Sequence, residues 1–96
     1  MSATGPHMVE ITIRGPIART DLPGLCERVC TFLGRHAESV VYCDVADVEP
    51  DAVTVDALAR LQLAAQRGGR EIRLRRASAE LLELVAFMGL SQVLPE

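Results

Sequence analysis

The tightest constraint on this chain is a two-residue alternation that occurs twice. Over residues 8–14, Val9, Ile11 and Ile13 are apolar while Glu10, Thr12 and Arg14 are polar. Glu71-Ile-Arg-Leu-Arg75 repeats the pattern, with Ile72 and Leu74 set between charged residues. Successive side chains of a strand point to opposite faces, so each segment reads as a strand with one buried and one wet face. Ser39-Val-Val-Tyr-Cys43, bounded by Glu38 and Asp44, is a short continuous apolar run and fits a central strand. A doubly wound sheet needs apolar residues on both faces of most strands. Two of the three strands lack them. The helices are therefore expected to cover one face, leaving Glu10, Thr12, Arg14, Glu71, Arg73 and Arg75 toward solvent.

Three helical patterns separate and follow these strands. Thr20 or Asp21 can cap the first, with Pro23 tolerated in its first turn. Leu22, Leu25, Cys26, Val29, Cys30 and Leu33 then give its apolar stripe, and Gly34 stops it. The second follows Pro50 and runs to about Arg67, with Ala57, Leu58, Leu61, Ala64 and Ala65 inward and Gly68-Gly69 as terminator. Ser78 caps the third, Glu80 favours its dipole, and Leu81, Leu82, Val85 and Met88 form its apolar face. Gly89-Leu90 fits a stop in which the next hydrophobe packs back, and Val93 and Leu94 dock the tail. The order β-α-β-α-β-α predicts an α/β domain with a small, mostly parallel or mixed sheet and right-handed crossovers.

The 96 residues suffice for one domain, placed at 8–96. Residues 1–7 have no periodicity and are expected to be disordered; Gly5-Pro6-His7-Met8 also resembles the scar of a cleaved tag. With 49% apolar residues and only three aromatics, Phe32, Tyr42 and Phe87, the core must be aliphatic. A net charge of −3 argues against a nucleic-acid partner held through counterion release. The apolar runs fall far short of the ~20 residues that span a bilayer, and no basic-then-apolar leader opens the chain. A cytoplasmic protein without direct membrane insertion is expected.

Chemistry-bearing patterns are few. There is no G-x-G-x-x-G after the first strand, no P-loop and no C-x-x-C. Ser2, Ser39, Ser78 and Ser91 have no histidine placed to act as a base. Cys26 and Cys30 lie four apart on one helix face and could recruit Cys43 or His36 around a metal, but all three cysteines fall at apolar positions, where a thiol packs as a small hydrophobe. Asp44, Asp47, Glu49, Asp51 and Asp56 could hold Mg²⁺; acids before a helix also serve as caps and complement its dipole. Arg67, Arg70, Arg73, Arg75 and Arg76 suggest an anionic partner, yet helix end, strand and loop aim them differently and acids offset them. The expectation is a protein that is not an enzyme and carries neither cofactor nor metal.

On the second helix Val55, Ala59, Gln62 and Leu63 fall off the chosen core stripe. Exposed, they would form an apolar docking surface rimmed by Asp56, Arg60, Gln66 and Arg67. The other reading is that the third helix covers them.

Four segments, in order and spanning about 9–94, resemble the STAS domain of bacterial anti-sigma factor antagonists. Ile11-Thr-Ile-Arg-Gly15-Pro-Ile17 is similar to the family's strand ending in Gly before the first helix. Val40-Val-Tyr-Cys-Asp44-Val-Ala-Asp-Val48 is similar to its central strand and the segment that closes it. Ala57-Leu58-Ala-Arg-Leu61 through Gly68-Gly-Arg-Glu-Ile-Arg-Leu74 is similar to its helix and following strand. Phe87-Met-Gly89-Leu90-Ser-Gln-Val-Leu94 is similar to its closing helix. The resemblance implies a regulatory protein-binding module that docks on an anti-sigma factor serine kinase through the loop and helix at 50–67. It implies contacts from Asp51, Ala52, Val53, Thr54, Val55, Asp56, Ala59 and Leu63. In the family a serine at the start of this helix is phosphorylated, and the added charge of about −2 blocks docking. Here the segment reads Pro50-Asp-Ala-Val-Thr54-Val-Asp-Ala-Leu58, without the serine pair and glycine, so Thr54 is the one candidate phosphoacceptor unless it merely caps the helix. An alternative within the fold is a subunit of a larger assembly, a stress-signalling complex or lipid-transport ATPase, without phosphorylation. An alternative outside it is a small metal-binding or enzymatic protein using the acidic loop.

Overall fold

Six main elements alternate along the chain in the computed structural model, which describes residues 9–36 and 38–96. The expectation for 1–7 lies outside these. Strand β1 is Val9–Arg14, helix α1 Leu22–Gly34, β2 Val40–Asp47, α2 Ala52–Arg67, β3 Glu71–Arg75 and α3 Ala79–Phe87, with a short 3-10 turn at Arg19–Asp21. The protein is α/β, and the three described strands are all parallel in the order β1-β2-β3. Glu10, Tyr42 and Arg73 stand side by side across the sheet, as do Thr12, Asp44 and Arg75.

The alternation is expressed as expected. Ile13, Val41, Cys43, Val45, Ile72 and Leu74 are buried under the helices. On the other face Glu10, Thr12 and Arg14 are exposed, while Glu71, Arg73 and Arg75 are half-buried among one another. Arg75 lies 5.4 Å above the Tyr42 ring and 3.5 Å from Glu10, and Arg73 pairs with Glu71 at 3.0 Å. α1 packs on α2, and α2 packs on β3 and α3. Leu58, Leu61, Leu81 and Val85 fill the layer between, each at most 2% exposed. Burying an aliphatic side chain of this kind is worth about 1.5–3 kcal/mol.

Helix ends follow local chemistry. Asp51 and Ser78 accept from the N–H groups of Thr54 and Leu81 respectively. Asp21 precedes α1 but turns its carboxylate back to the N–H of Ala18. At the other ends Gly69 and Gly89 take φ of 75° and 76°, letting Arg70 and Leu90 donate back to Ala65 and Val85.

Four expectations are corrected, the first being Met88, which lies one residue past α3 and is 38% exposed instead of on its apolar face. β2 runs four residues past Cys43, because both neighbouring strands pair with it as far as Asp44 and β1 continues the pairing to Asp47. Cys30 is exposed: the inward line of α1 is Leu22, Val29 and Leu33, and Cys30 stands one residue, about 100° around the helix, beyond Val29. Val55 and Gln62 are buried at 0% and 1% exposure, because Val55, Leu58, Leu61, Gln62 and Ala65 form the inward stripe of α2.

The two sheet edges differ. Along β3, the Gln62 side-chain amide donates to the Ile72 carbonyl at 2.8 Å and accepts from the Ile72 N–H at 2.7 Å. The same amide donates to Val93, and Leu74 donates to Pro95 at 2.8 Å. The tail is thereby laid along β3, with Leu94 buried beneath it. Along the outer side of β1, no main-chain hydrogen bond is made among the described residues.

Candidate functional site

The turn from β2 into α2, with the outward side of α2, gathers most of the residues singled out in the sequence. It is built on a close approach. A Cβ on Gly15 would lie 2.9 Å from the main-chain nitrogen of Glu49, so only glycine lets the end of β1 support the 48–49 turn. Gly15 also donates to the Asp47 carbonyl at 3.1 Å.

Asp44 fixes the other side of this end. It is 5% exposed, accepts from the Ala46 N–H at 3.0 Å, and is paired with Arg76. The Arg76 hydrogen bond, then that from Ala46, holds its carboxyl below the usual carboxylate range, and the same pair keeps Arg76 firmly cationic. Arg76 has φ of 57°, a conformation uncommon outside glycine, so the loop after β3 is held where its side chain meets Asp44. Beside it the Cys43 thiol is pushed up to about 12, by burial first and then by the charges of Asp44 and Glu10. It is an inert core thiol at neutral pH.

Along α2 the sequence-selected residues divide. Asp51 and Ala52 are exposed, Val53, Asp56 and Ala59 are half-buried, and Leu63 is 53% exposed. Ala52, Asp56, Ala59, Arg60 and Leu63 share one side at helical spacing. Asp56 organises its middle, 3.1 Å from Arg60 and 3.7 Å from Arg19. The two arginines flank a shallow hollow of about 290 Å³ lined also by Leu22, Pro23 and Cys26. Val55, about 80° around the helix from Leu63, points into the core. Thr54 is 0% exposed, and its hydroxyl has no hydrogen-bond partner among the described residues. Asp51, not Thr54, supplies the cap. A kinase reaches the Thr54 oxygen only if the first turn of α2 opens.

The remaining candidates do not converge. Arg70 donates to the Leu33 carbonyl, Arg73 pairs with Glu71, Arg75 with Glu10 and Arg76 with Asp44, so four of the five arginines of the basic run make structural contacts in four directions. Among the described residues no three His, Cys, Asp or Glu side chains come together at metal-binding distance, and no helix is long and apolar enough to cross a membrane. Gln62 is the residue sequence reasoning misplaced. Its signal was present, since it lies four residues beyond Leu58 and three before Ala65 on the same side.

No known family model matches the chain, and no curated protein matches it.

Proposed function

We propose that the chain is a non-enzymatic, STAS-like protein-binding module that docks on an anti-sigma factor of the serine-kinase type through the outward side of α2. The observation that carries this reading is Leu63, a large hydrophobe 53% exposed on a helix whose other two leucines, Leu58 and Leu61, are buried. It continues a line through Ala59 and Asp56 toward the hollow between Arg19 and Arg60. An apolar contact bordered by paired charges is the usual anatomy of a regulatory interface. The α/β order supports the resemblance on which the partner class rests. With Thr54 enclosed and Asp51 and Asp56 already acidic, the module binds without a phosphorylation switch at Thr54.

Titration calorimetry against purified serine-kinase anti-sigma factors from the source organism tests the proposal. Leu63→Glu and Ala59→Arg are expected to weaken binding at least tenfold, about 1.4 kcal/mol, while leaving the thermal melt in place. Binding that ignores both variants, or no binding by the unaltered chain, overturns it.

A further inference from the structure

The outer edge of β1 is the one stretch of sheet left without a main-chain partner among the described residues, and the order of its side chains points to what covers it. We infer that a second copy of this chain pairs with β1 in antiparallel fashion about Thr12, joining two three-stranded sheets into one of six strands.

The charge order carries the inference. β1 presents Glu10, Thr12 and Arg14 on the open face of the sheet. The irregularity in its pairing with β2 sets two steps of β1, Thr12 to Arg14, against three of β2, Asp44 to Asp47. The extra residue therefore lies in β2, and β1 keeps its regular alternation. When two copies meet antiparallel with Thr12 opposite the partner's Thr12, Glu10 falls opposite the partner's Arg14 and Arg14 opposite the partner's Glu10. Ile11 falls opposite the partner's Ile13 on the helix side. A parallel in-register pairing would instead set Glu10 on the partner's Glu10 and Arg14 on the partner's Arg14. Directly opposed charges on neighbouring strands attract or repel accordingly. Arg14 makes no ion pair among the described residues, whereas Glu10 has only the 3.5 Å contact to Arg75. The acid-and-base sequence along this edge is thus self-complementary in one arrangement and repulsive in the other.

Apolar surface at the same edge agrees with this occupant. Between β1 and α1 runs a groove of about 520 Å³ whose apolar lining includes Ile11, Ile13, Ile17, Leu25, Val29 and Phe32. Ile11, Leu25 and Phe32 are only half-buried there. A twofold axis normal to the sheet puts both α1 helices on the same side, where each closes the open flank of the other's groove. The opposite edge cannot do this, because Gln62 and Pro95 already occupy the main-chain groups of Ile72 and Leu74. The arrangement therefore stops at two copies and does not grow into a filament.

Sedimentation velocity on the full chain, from micromolar to millimolar, should show a reversible dimer. Arg14→Glu sets acid against acid at both symmetry-related positions, and Glu10→Arg sets base against base. Each should raise the dissociation constant about tenfold. The first variant carries acid at both charged positions of β1 and the second carries base at both. Mixed together, they oppose acid to base at each position, so the mixture should form a heterodimer although neither variant pairs well alone. Amide exchange on the unaltered chain gives a second readout, with protection of β1 rising as concentration rises. A monomer at millimolar concentration overturns the inference, as does a dimer indifferent to both charge reversals. Protection of β1 at every concentration would also overturn it, showing the edge to be covered by the same chain. Because α2 lies apart from this edge, loss of the dimer and loss of the proposed partner are separately visible.

Discussion

Gln62 stands to Ile72 as a neighbouring strand would, giving one hydrogen bond to its carbonyl and taking another from its N–H. Its second amide proton goes to Val93, so one side chain joins α2, β3 and the tail. Gln62→Leu keeps the bulk but strands three main-chain groups. Unsatisfied buried groups cost about 1–3 kcal/mol each, and solvent entering a separate hollow of about 480 Å³ lined by Gln62, Gln66, Gly69 and Val93 recovers part of that. A net loss of about 2–4 kcal/mol is expected by urea unfolding, together with faster amide exchange at Leu74. A variant as stable as the parent would show that Leu94 and the Leu74–Pro95 hydrogen bond hold the tail without Gln62.

Asp44 and Arg76 make stability depend on acid. The folded-state value of Asp44 lies below its ordinary one, so its contribution is fully present above about pH 4 and is lost as pH falls through the folded value. Asp44→Asn removes that contribution at neutral pH. The urea midpoints of parent and variant should therefore differ at about pH 7 and draw together as the pH falls below about 4. Parallel curves over this range would assign the acid sensitivity to other carboxylates.

Val55 and Leu63 lie eight residues apart on α2, about 80° apart around the helix, yet Val55 is buried and Leu63 is 53% exposed. Val55→Arg buries an unpaired charge and should cost more than about 4 kcal/mol, enough to abolish cooperative folding in a small domain. Leu63→Glu should change stability by no more than about 0.5 kcal/mol. Thermal melts followed by circular dichroism separate the two. A folded Val55→Arg protein would mean that the N-terminal half of α2 is loosely held.

What the chain discloses locally it discloses well. The strand alternation, the Ser78 cap and the Gly69 and Gly89 stops depend on neighbours within a few residues, and their signals are residue types at fixed offsets. The second half of β2 is different. Asp44, Ala46 and Asp47 carry no strand signal, and they are extended because β1 pairs along this stretch, with β3 alongside as far as Asp44. The inward side of α2 was visible as spacing, but a glutamine at position 62 reads as polar surface until β3 and the tail supply its partners. The Asp44–Arg76 pair joins residues 32 apart, and no local pattern announces it. The side of α2 proposed to dock was thus half legible: Leu63 is exposed and Ala59 and Asp56 half-buried, while Val55 and Thr54 lie within.

Gly15 gives a sharper test of how β1 supports the turn into α2. An added methyl meets main chain at Glu49 and Val48, which cannot swing aside as a side-chain tip can. Gly15→Ala is expected to cost about 1–3 kcal/mol by overpacking. It should also broaden or shift the amide resonances of Val48 and Glu49 while leaving α3 unaffected. Equal stability in the variant would show that the turn moves freely.

Thr54 offers the converse, a substitution expected to stabilise. Its hydroxyl is enclosed at the start of α2 with no partner among the described residues, so the fold bears the desolvation of a polar group without recovering a hydrogen bond. Valine has nearly the same shape and also suits the buried site. Thr54→Val should raise unfolding stability by about 1 kcal/mol, read as a higher urea midpoint with unchanged slope. Thr54→Ser keeps the hydroxyl and loses a methyl, and should cost about 1 kcal/mol. Intact-mass analysis after incubation with a serine kinase should find no phosphate on Thr54 in the folded chain. A destabilised Thr54→Val protein, or phosphate at that oxygen under native conditions, would place the hydroxyl at the surface and return the switch to this position.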